Sequence, residues 1–175
     1  MKAPSDRSFF FWDSFTMKAH TIIEEGVSIM EAEVILFGKD TQSSCEEILR
    51  RSLPQYSVKK SGKLPGEFIL LRGGKAEEYW CIFDGKQEDV RKMAGENHLR
   101  TLTCGFSTYD SLVLSSCNAE QALVSLLREI HTVFDASVEP GDYLIYHRSE
   151  VPEEALLLCT GVLLLAGTKE REFHF

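Results

Sequence analysis

The stretch Arg100 to Cys117, RTLTCGFSTYDSLVLSSC, constrains the fold more than any other part of the chain. Runs of β-branched and apolar residues, Arg100 to Cys104 and Ser111 to Ser116, flank a group of turn formers that includes Gly105, Ser107 and Asp110. That pattern selects a strand, a tight turn and a second strand. Upstream lie three short apolar runs with Gly or Asp at their ends: Glu33 to Phe37 before Gly38, Glu67 to Leu71 before Gly73 and Gly74, and Glu78 to Phe83 before Asp84 and Gly85. Runs this short and this continuously apolar read as buried strands.

Two helical segments separate them. Thr41 to Leu53 places Cys45, Ile48, Leu49 and Leu53 at helical spacing, with Thr41 or Ser43 as a cap, Glu46 and Glu47 in the first turn, and Pro54 as the stop. Gln87 to Ala94 is a shorter helix with Val90, Met93 and Ala94 on one side, ended by Gly95. The polar stretch Ser57 to Gly66 reads as a loop. Strands alternating with short helices define an α/β sheet with crossover connections.

Past Cys117 two readings compete. Ala122, Leu123, Leu126, Leu127, Ile130, Val133 and Phe134 fit one helical face capped by Asn118. The other reading is a strand near Ala122 to Arg128, then a hairpin of His131 to Phe134 with Val138 to Tyr146, turning at Asp135 and at Pro140 to Gly141. Val151 to Gly167 is the closing helix: Pro152 suits the first turn, Glu153 and Glu154 follow, and Gly167 sits at the end. Its segment Ala155 to Ala166 is apolar almost throughout, yet far short of the roughly 20 residues needed to span a bilayer, so it reads as a core helix.

The composition sets the class. At 175 residues and 43% hydrophobic, the chain has material for one core. Its 19 Lys and Arg against 27 Asp and Glu give a net charge of -8. That sign opposes binding to a phosphate backbone, and the one basic cluster, Lys59, Lys60 and Lys63, is broken by Ser61 and Gly62. Five cysteines, an odd number without a CxxC pair, argue against a disulfide framework and a zinc site, and point to reduced thiols in a cytoplasmic protein. Residues 1–29 have no clear period and read as a poorly ordered leader; Met17 and Met30 are alternative starts to Met1. The domain spans 30–168, and 169–175 is a tail.

Candidate chemistry is sparse. Gly105-Phe106-Ser107 begins like a nucleophile elbow, but Tyr109 stands where G-x-S-x-G requires its second Gly, so Ser107 reads as a turn residue beside Asp110. Cys104, His131 and Asp135 supply the three residue types of a thiol triad, but buried structural roles explain them as well. His98, His131 and His147 lack metal-ligand spacing. The pair Gly73-Gly74 at the end of a strand lets backbone approach a small molecule.

The order of elements resembles the central, ATP-binding domain of the Mur ligases. Leu102 to Ser107 (LTCGFS) is similar to that family's T-F/Y-G-x-S turn, Glu154 to Gly167 to its Ala- and Leu-rich helix, and Val34 to Leu49 to its strand, phosphate loop and helix. The chain also resembles short Mur-ligase-like proteins of clostridial bacteria, whose turn has the form Y-G-x-S-x-x-D-S or D-T. The resemblance spans roughly Glu33 to Gly167 and favours strands after Cys117. It implies a single Rossmann-like, three-layer α/β domain with a mostly parallel sheet, an antiparallel hairpin near the C-terminal half and a closing C-terminal helix.

The departures bear on activity. A working loop is G-x-x-x-x-G-K-[ST]. With Gly38-Lys39 set as its Gly-Lys, Glu33 replaces the first Gly and Asp40 the Ser or Thr. With Gly38 set as the first Gly, Ser43 and Ser44 replace Gly and Lys. ATP-dependent ligation is therefore not implied. The expectation is a non-catalytic binding or accessory module with no cofactor, no catalytic residue and no metal ligand. Its partner is a protein or small molecule, not nucleic acid or membrane, with homo-oligomers left open. Any ligand would sit near Gly38, Gly73, Gly74, Gly105, Ser107 and Asp110. The alternative is a small enzyme or nucleotide binder using the carboxyl edge of the sheet.

Overall fold

The apolar runs become strands because both faces of each are covered. In β1 (Glu33–Phe37), Val34 and Leu36 join the main core while Ile35 and Phe37, also buried, face the other side. The computed structural model describes residues 31–74 and 78–175. After β1 come α1 (Lys39–Ser52), β2 (Ser57–Ser61), β3 (Phe68–Arg72), β4 (Trp80–Asp84), α2 (Glu88–Glu96), β5 (Arg100–Gly105), β6 (Leu112–Cys117) and β7 (Gln121–Leu126). The chain closes with β8 (Ile130–His131), β9 (Ser137–Val138), β10 (Gly141–Tyr146), α3 (Glu153–Leu165) and β11 (Glu172–His174). The leader expected over 1–29, with its alternative starts, lies outside the described residues. Glu31–Phe175 forms one compact unit.

Nine strands make one sheet in the order β11-β10-β7-β6-β5-β4-β3-β1-β2, and β8 with β9 makes a separate antiparallel pair. The β1–β2, β4–β5, β5–β6 and β10–β11 pairs are parallel; β1–β3, β3–β4, β6–β7 and β7–β10 are antiparallel. The class is α/β with a mixed sheet. Helices connect three of the parallel pairs: α1 leads from β1 to β2, α2 from β4 to β5, and α3 from β10 to β11. The fourth pair, β5 and β6, is joined by the turn 106–111 alone. Parallel neighbours normally need a crossover of a dozen or more residues. Here the overlap is only Cys104 with Leu112 and Gly105 with Val113, so β6 continues the direction of β5 one strand to the side.

Residues 119–134 hold the strands β7 and β8 and no helix, against their helical period. Ala122, Val124 and Leu126 alternate into the core and pair across β10 with Ile145, Tyr143 and Gly141. Ala122, Leu126 and Ile130 are four apart, a spacing that serves a strand as well as a helix. Of the expected hairpin of His131 to Phe134 with Val138 to Tyr146 only the turn forms, with Asp135 left-handed at φ 59°: β8 pairs with the two-residue β9, while β10 pairs with β7 instead. Two strands arise where the sequence reads as loop or tail. β2 buries only Val58 fully and exposes Lys59 and Lys60, the charged character of a protected sheet edge. β11 brings Phe173 over Tyr143, with ring centroids 6.1 Å apart.

The core helix is α3, buried at every residue from Ala155 to Leu165. It packs beside α1 and against β4 and β5, and Gly161 sets how closely. A Cβ there would stand 2.9 Å from Leu102 Cδ2 and 3.2 Å from Ile82 Cγ2. The Thr160 hydroxyl is satisfied within the helix, donating to the Leu156 carbonyl at 2.7 Å. No helix among the described residues is long and apolar enough to cross a membrane.

At the amino end of β1, Glu33 is only 5% exposed. Lys59 Nζ donates to it at 2.8 Å and Arg72 Nη2 at 2.6 Å, and the Tyr79 hydroxyl donates as well. Burial raises the Glu33 pKa, but the Lys59 and Tyr79 hydrogen bonds and the Arg72 charge outweigh it and hold the carboxyl below its usual range. A carboxyl lowered by folding contributes stability above its unfolded pKa and loses it as pH falls through the folded one.

Two stability predictions follow from this packing. Gly161→Val will lower urea-measured stability by about 1–3 kcal/mol through overpacking against Leu102 and Ile82. Glu33→Gln will cost about 3 kcal/mol at neutral pH, because it breaks the largely buried ion pair with Arg72, whereas Lys59 is mostly exposed. The gap between wild type and Glu33→Gln will narrow in urea titrations below the ordinary carboxylate range.

Candidate functional site

A cleft of about 500 Å³ opens at the carboxyl ends of β4 and β5, between the N-termini of α1 and α3. Cys45, Cys104, Ala155, Leu157 and Leu158 give it an apolar lining, while Asp40, Glu67, Asp84 and Glu154 give it carboxylates. Among the described residues no Lys or Arg lines it. Phe106, half exposed, borders it, with Lys86 Nζ 5.4 Å from its ring centre.

One wall is a helix terminus that is already occupied. The first amides of an α-helix lack intrahelical partners and attract anions. At α1 the anion is Glu67: the Thr41 amide donates to Oε2 at 2.7 Å and the Asp40 amide to Oε1 at 3.4 Å. Glu67 enters from the loop before β3. Its own backbone is gripped by the Gln87 side chain, whose Oε1 accepts from Glu67 N at 3.0 Å and whose Nε2 donates to Glu67 O at 2.7 Å. Gly38, left-handed at φ 88°, makes room for this carboxylate, since a Cβ there would overlap it.

The second wall is the turn after β5. Asp110 is 7% exposed and its carboxylate lies against Gly85 and Gly105, where a Cβ on either glycine would overlap it. Its Oδ2 accepts from the Ser107 amide at 3.2 Å. The Ser107 hydroxyl accepts from the Tyr109 amide at 3.2 Å, a capping role. Arg128 fixes the turn from outside, donating to the carbonyls of Thr108 at 3.0 Å, Tyr109 at 3.0 Å and Asp110 at 2.7 Å. Asp84 Oδ1 closes the turn after β4 by accepting from Lys86 N at 2.9 Å.

The six residues named from sequence thus separate. Gly105 lines the cleft, and Gly38, Ser107 and Asp110 build its walls as structural groups. Gly73 and Gly74 follow β3, which runs opposite to β1 and β4, so they emerge at the other edge of the sheet. Gly73 is packed against Val133. The thiol-triad trio is likewise spread out. Cys104 ends β5, whereas Asp135 lies 3.6 Å from Arg100 at its start. Burial first, then the charges of Asp110 and Asp84, push the Cys104 thiol far above its usual pKa, so it stays protonated. Sequence reasoning missed Glu67, Gln87 and Arg128 because each acts on a segment distant in sequence. The only local signal was a carboxylate placed directly after Gly66 at the head of a fully apolar strand.

No group of three or more His, Cys, Asp or Glu among the described residues is arranged to hold a metal ion. Comparisons of the chain with protein-family models, with curated proteins and with solved structures find no match.

If Glu67 anchors α1, Glu67→Ala will cost about 2 kcal/mol in urea denaturation, the range for a charge-assisted hydrogen bond. Asp40→Ala, which leaves both amides covered, will cost clearly less.

Proposed function

We propose that this protein is a non-catalytic binding or accessory module of Rossmann-like, three-layer descent, related to the Mur ligase central domain, in a bacterial cytoplasm. Its cleft takes a small ligand that is uncharged or cationic. The observation that carries this reading is Glu67 on the α1 amides. The family's triphosphate would need those donors, and a resident carboxylate both occupies them and repels a second anion. Asp40, Asp84 and Glu154 extend the repulsion around the cleft, and among the described residues no lining Lys or Arg offsets it. The apolar lining suits a ligand with a hydrocarbon body, and the carboxylates suit an amine at its polar end.

A second reading is a small enzyme or nucleotide binder at the carboxyl edge. It draws on the same cleft, which lies where α/β sheets bind ligands. Against it stand the protonated Cys104 thiol, the capping role of Ser107 and the carboxylate in the phosphate position.

Thermal unfolding with added ligand separates the two, because a ligand that binds only the native state raises the melting temperature by mass action. Hexylamine at millimolar concentration will raise it and hexanoate will not, and Ser44→Trp, which fills the cleft mouth, will abolish the hexylamine effect. Mg-ATP will leave the wild type unchanged. A clear Mg-ATP shift in the wild type would replace the first reading by the second.

A further inference from the structure

Of the five cysteines, Cys45, Cys81, Cys104 and Cys159 are at most 1% exposed and Cys117 alone is open to solvent. Cys117 ends β6, and His147 follows β10. The β6–β7 turn brings them together: Asn118 Oδ1 accepts from the amides of Glu120 and Gln121, both at 2.9 Å, and the His147 amide donates to the Glu120 carbonyl at 2.9 Å. The Cys117 sulfur lies 3.7 Å from His147 Nε2 and 3.6 Å from the Asn118 carbonyl oxygen, a second acceptor for the thiol proton. On the far side of the ring, Nδ1 is 2.9 Å from the Arg148 carbonyl oxygen. A carbonyl only accepts, so Nδ1 carries the ring proton and Nε2 presents its lone pair to the thiol.

We propose that Cys117 and His147 form a thiol–imidazole pair that makes Cys117 the site of exchange with small-molecule disulfides. The pair is built like the nucleophile and base of thiol chemistry, with a third group fixing the base's tautomer. In the reaction Nε2 takes the proton from Sγ as Sγ attacks one sulfur of the disulfide R–S–S–R. The bond from Sγ to that sulfur forms, the R–S–S–R bond breaks, and its electron pair leaves on R–S⁻, which receives the proton back from the imidazolium. The products are a Cys117 mixed disulfide and one R–SH: the Cys117 sulfur is oxidised, the departing sulfur is reduced, and the small-molecule disulfide is the oxidant.

The surroundings make the base necessary. Besides the His147 ring, the Glu153 carboxylate in the first turn of α3 faces the thiol. Partial burial and this carboxylate raise the Cys117 pKa, so the resting thiol is protonated and must lose its proton as it reacts. Removal of the imidazole then slows the reaction near neutral pH, and removal of the Glu153 charge speeds it. This reading is independent of the cleft and of its ligand.

The test is reaction of the native full chain with the aromatic disulfide 5,5′-dithiobis(2-nitrobenzoate) and with oxidised glutathione, followed by released thiol and by intact mass. The wild type will take up one adduct and Cys117→Ser none. His147→Gln will react roughly tenfold or more slowly at pH 7.5, within the range of general-base assistance. Its rate will rise only as the thiol itself ionises, whereas the wild type will already react at lower pH. Glu153→Gln will react faster than wild type. Melting temperatures near wild type for both variants will show that the fold is intact. Equal rates and equal pH profiles for wild type and His147→Gln would overturn the proposal, as would an adduct on any other cysteine.

Discussion

The carboxylate of Glu67 on the first amides of α1 is the contact on which the architecture of the cleft depends. A 14-residue helix leaves its first amides without intrahelical partners, and that deficit has to be met by a side chain, by water or by a ligand. Gly38 provides no side-chain cap. The anion arrives from 26 residues away in sequence, held by an amide pairing with Gln87. One interaction thereby ties β1, α1, the loop before β3 and the start of α2 into a single corner. It also changes that corner from an anion acceptor into a negative surface.

The glycines of the carboxyl edge serve the same economy of space. Gly38 admits Glu67, and Gly85 and Gly105 together admit Asp110, so in each case an absent side chain makes room for a buried or half-buried carboxylate. From sequence, a glycine at the end of a strand suggests backbone open to a small molecule. In the folded chain the space over these glycines is filled by the protein's own acids. Only Gly105 keeps a side toward the cleft.

The strands that a sequence reveals are those whose burial is continuous. β1, β3 and β4 are legible because five or so apolar residues in a row, bounded by Gly and Asp, have few other uses. β2 is not, since an edge strand with one fully buried residue and two outward lysines has the composition of a loop. The segment 119–134 misleads for a different reason: a spacing of four residues is common to a helix turn and to a strand face, and only the partner strand β10 decides between them. The cleft was legible as a location, the carboxyl edge, but its chemistry was not. Glu67, Gln87 and Arg128 act at separations of about twenty residues or more, beyond the reach of any local pattern.

The direction of β3 explains why the first amides of α1 are covered by the chain itself. In a doubly wound sheet the strands on either side of the switch point are parallel, their connections leave in opposite directions, and a crevice opens between them. Here α1 carries the chain from β1 to β2 on one side, and the next strand on the other side of β1 is β3, running antiparallel. An antiparallel neighbour begins where β1 ends. The loop that feeds β3 must therefore cross the crevice, and its last residue before the strand is Glu67. Replacing the one acid would not by itself clear those amides, because the backbone of that loop would still lie over the N-terminus of α1, clamped by Gln87. The remaining cleft is displaced toward β4, β5 and α3, where the parallel strand ends are free of such a crossing and where the apolar side chains of the core helix form the lining.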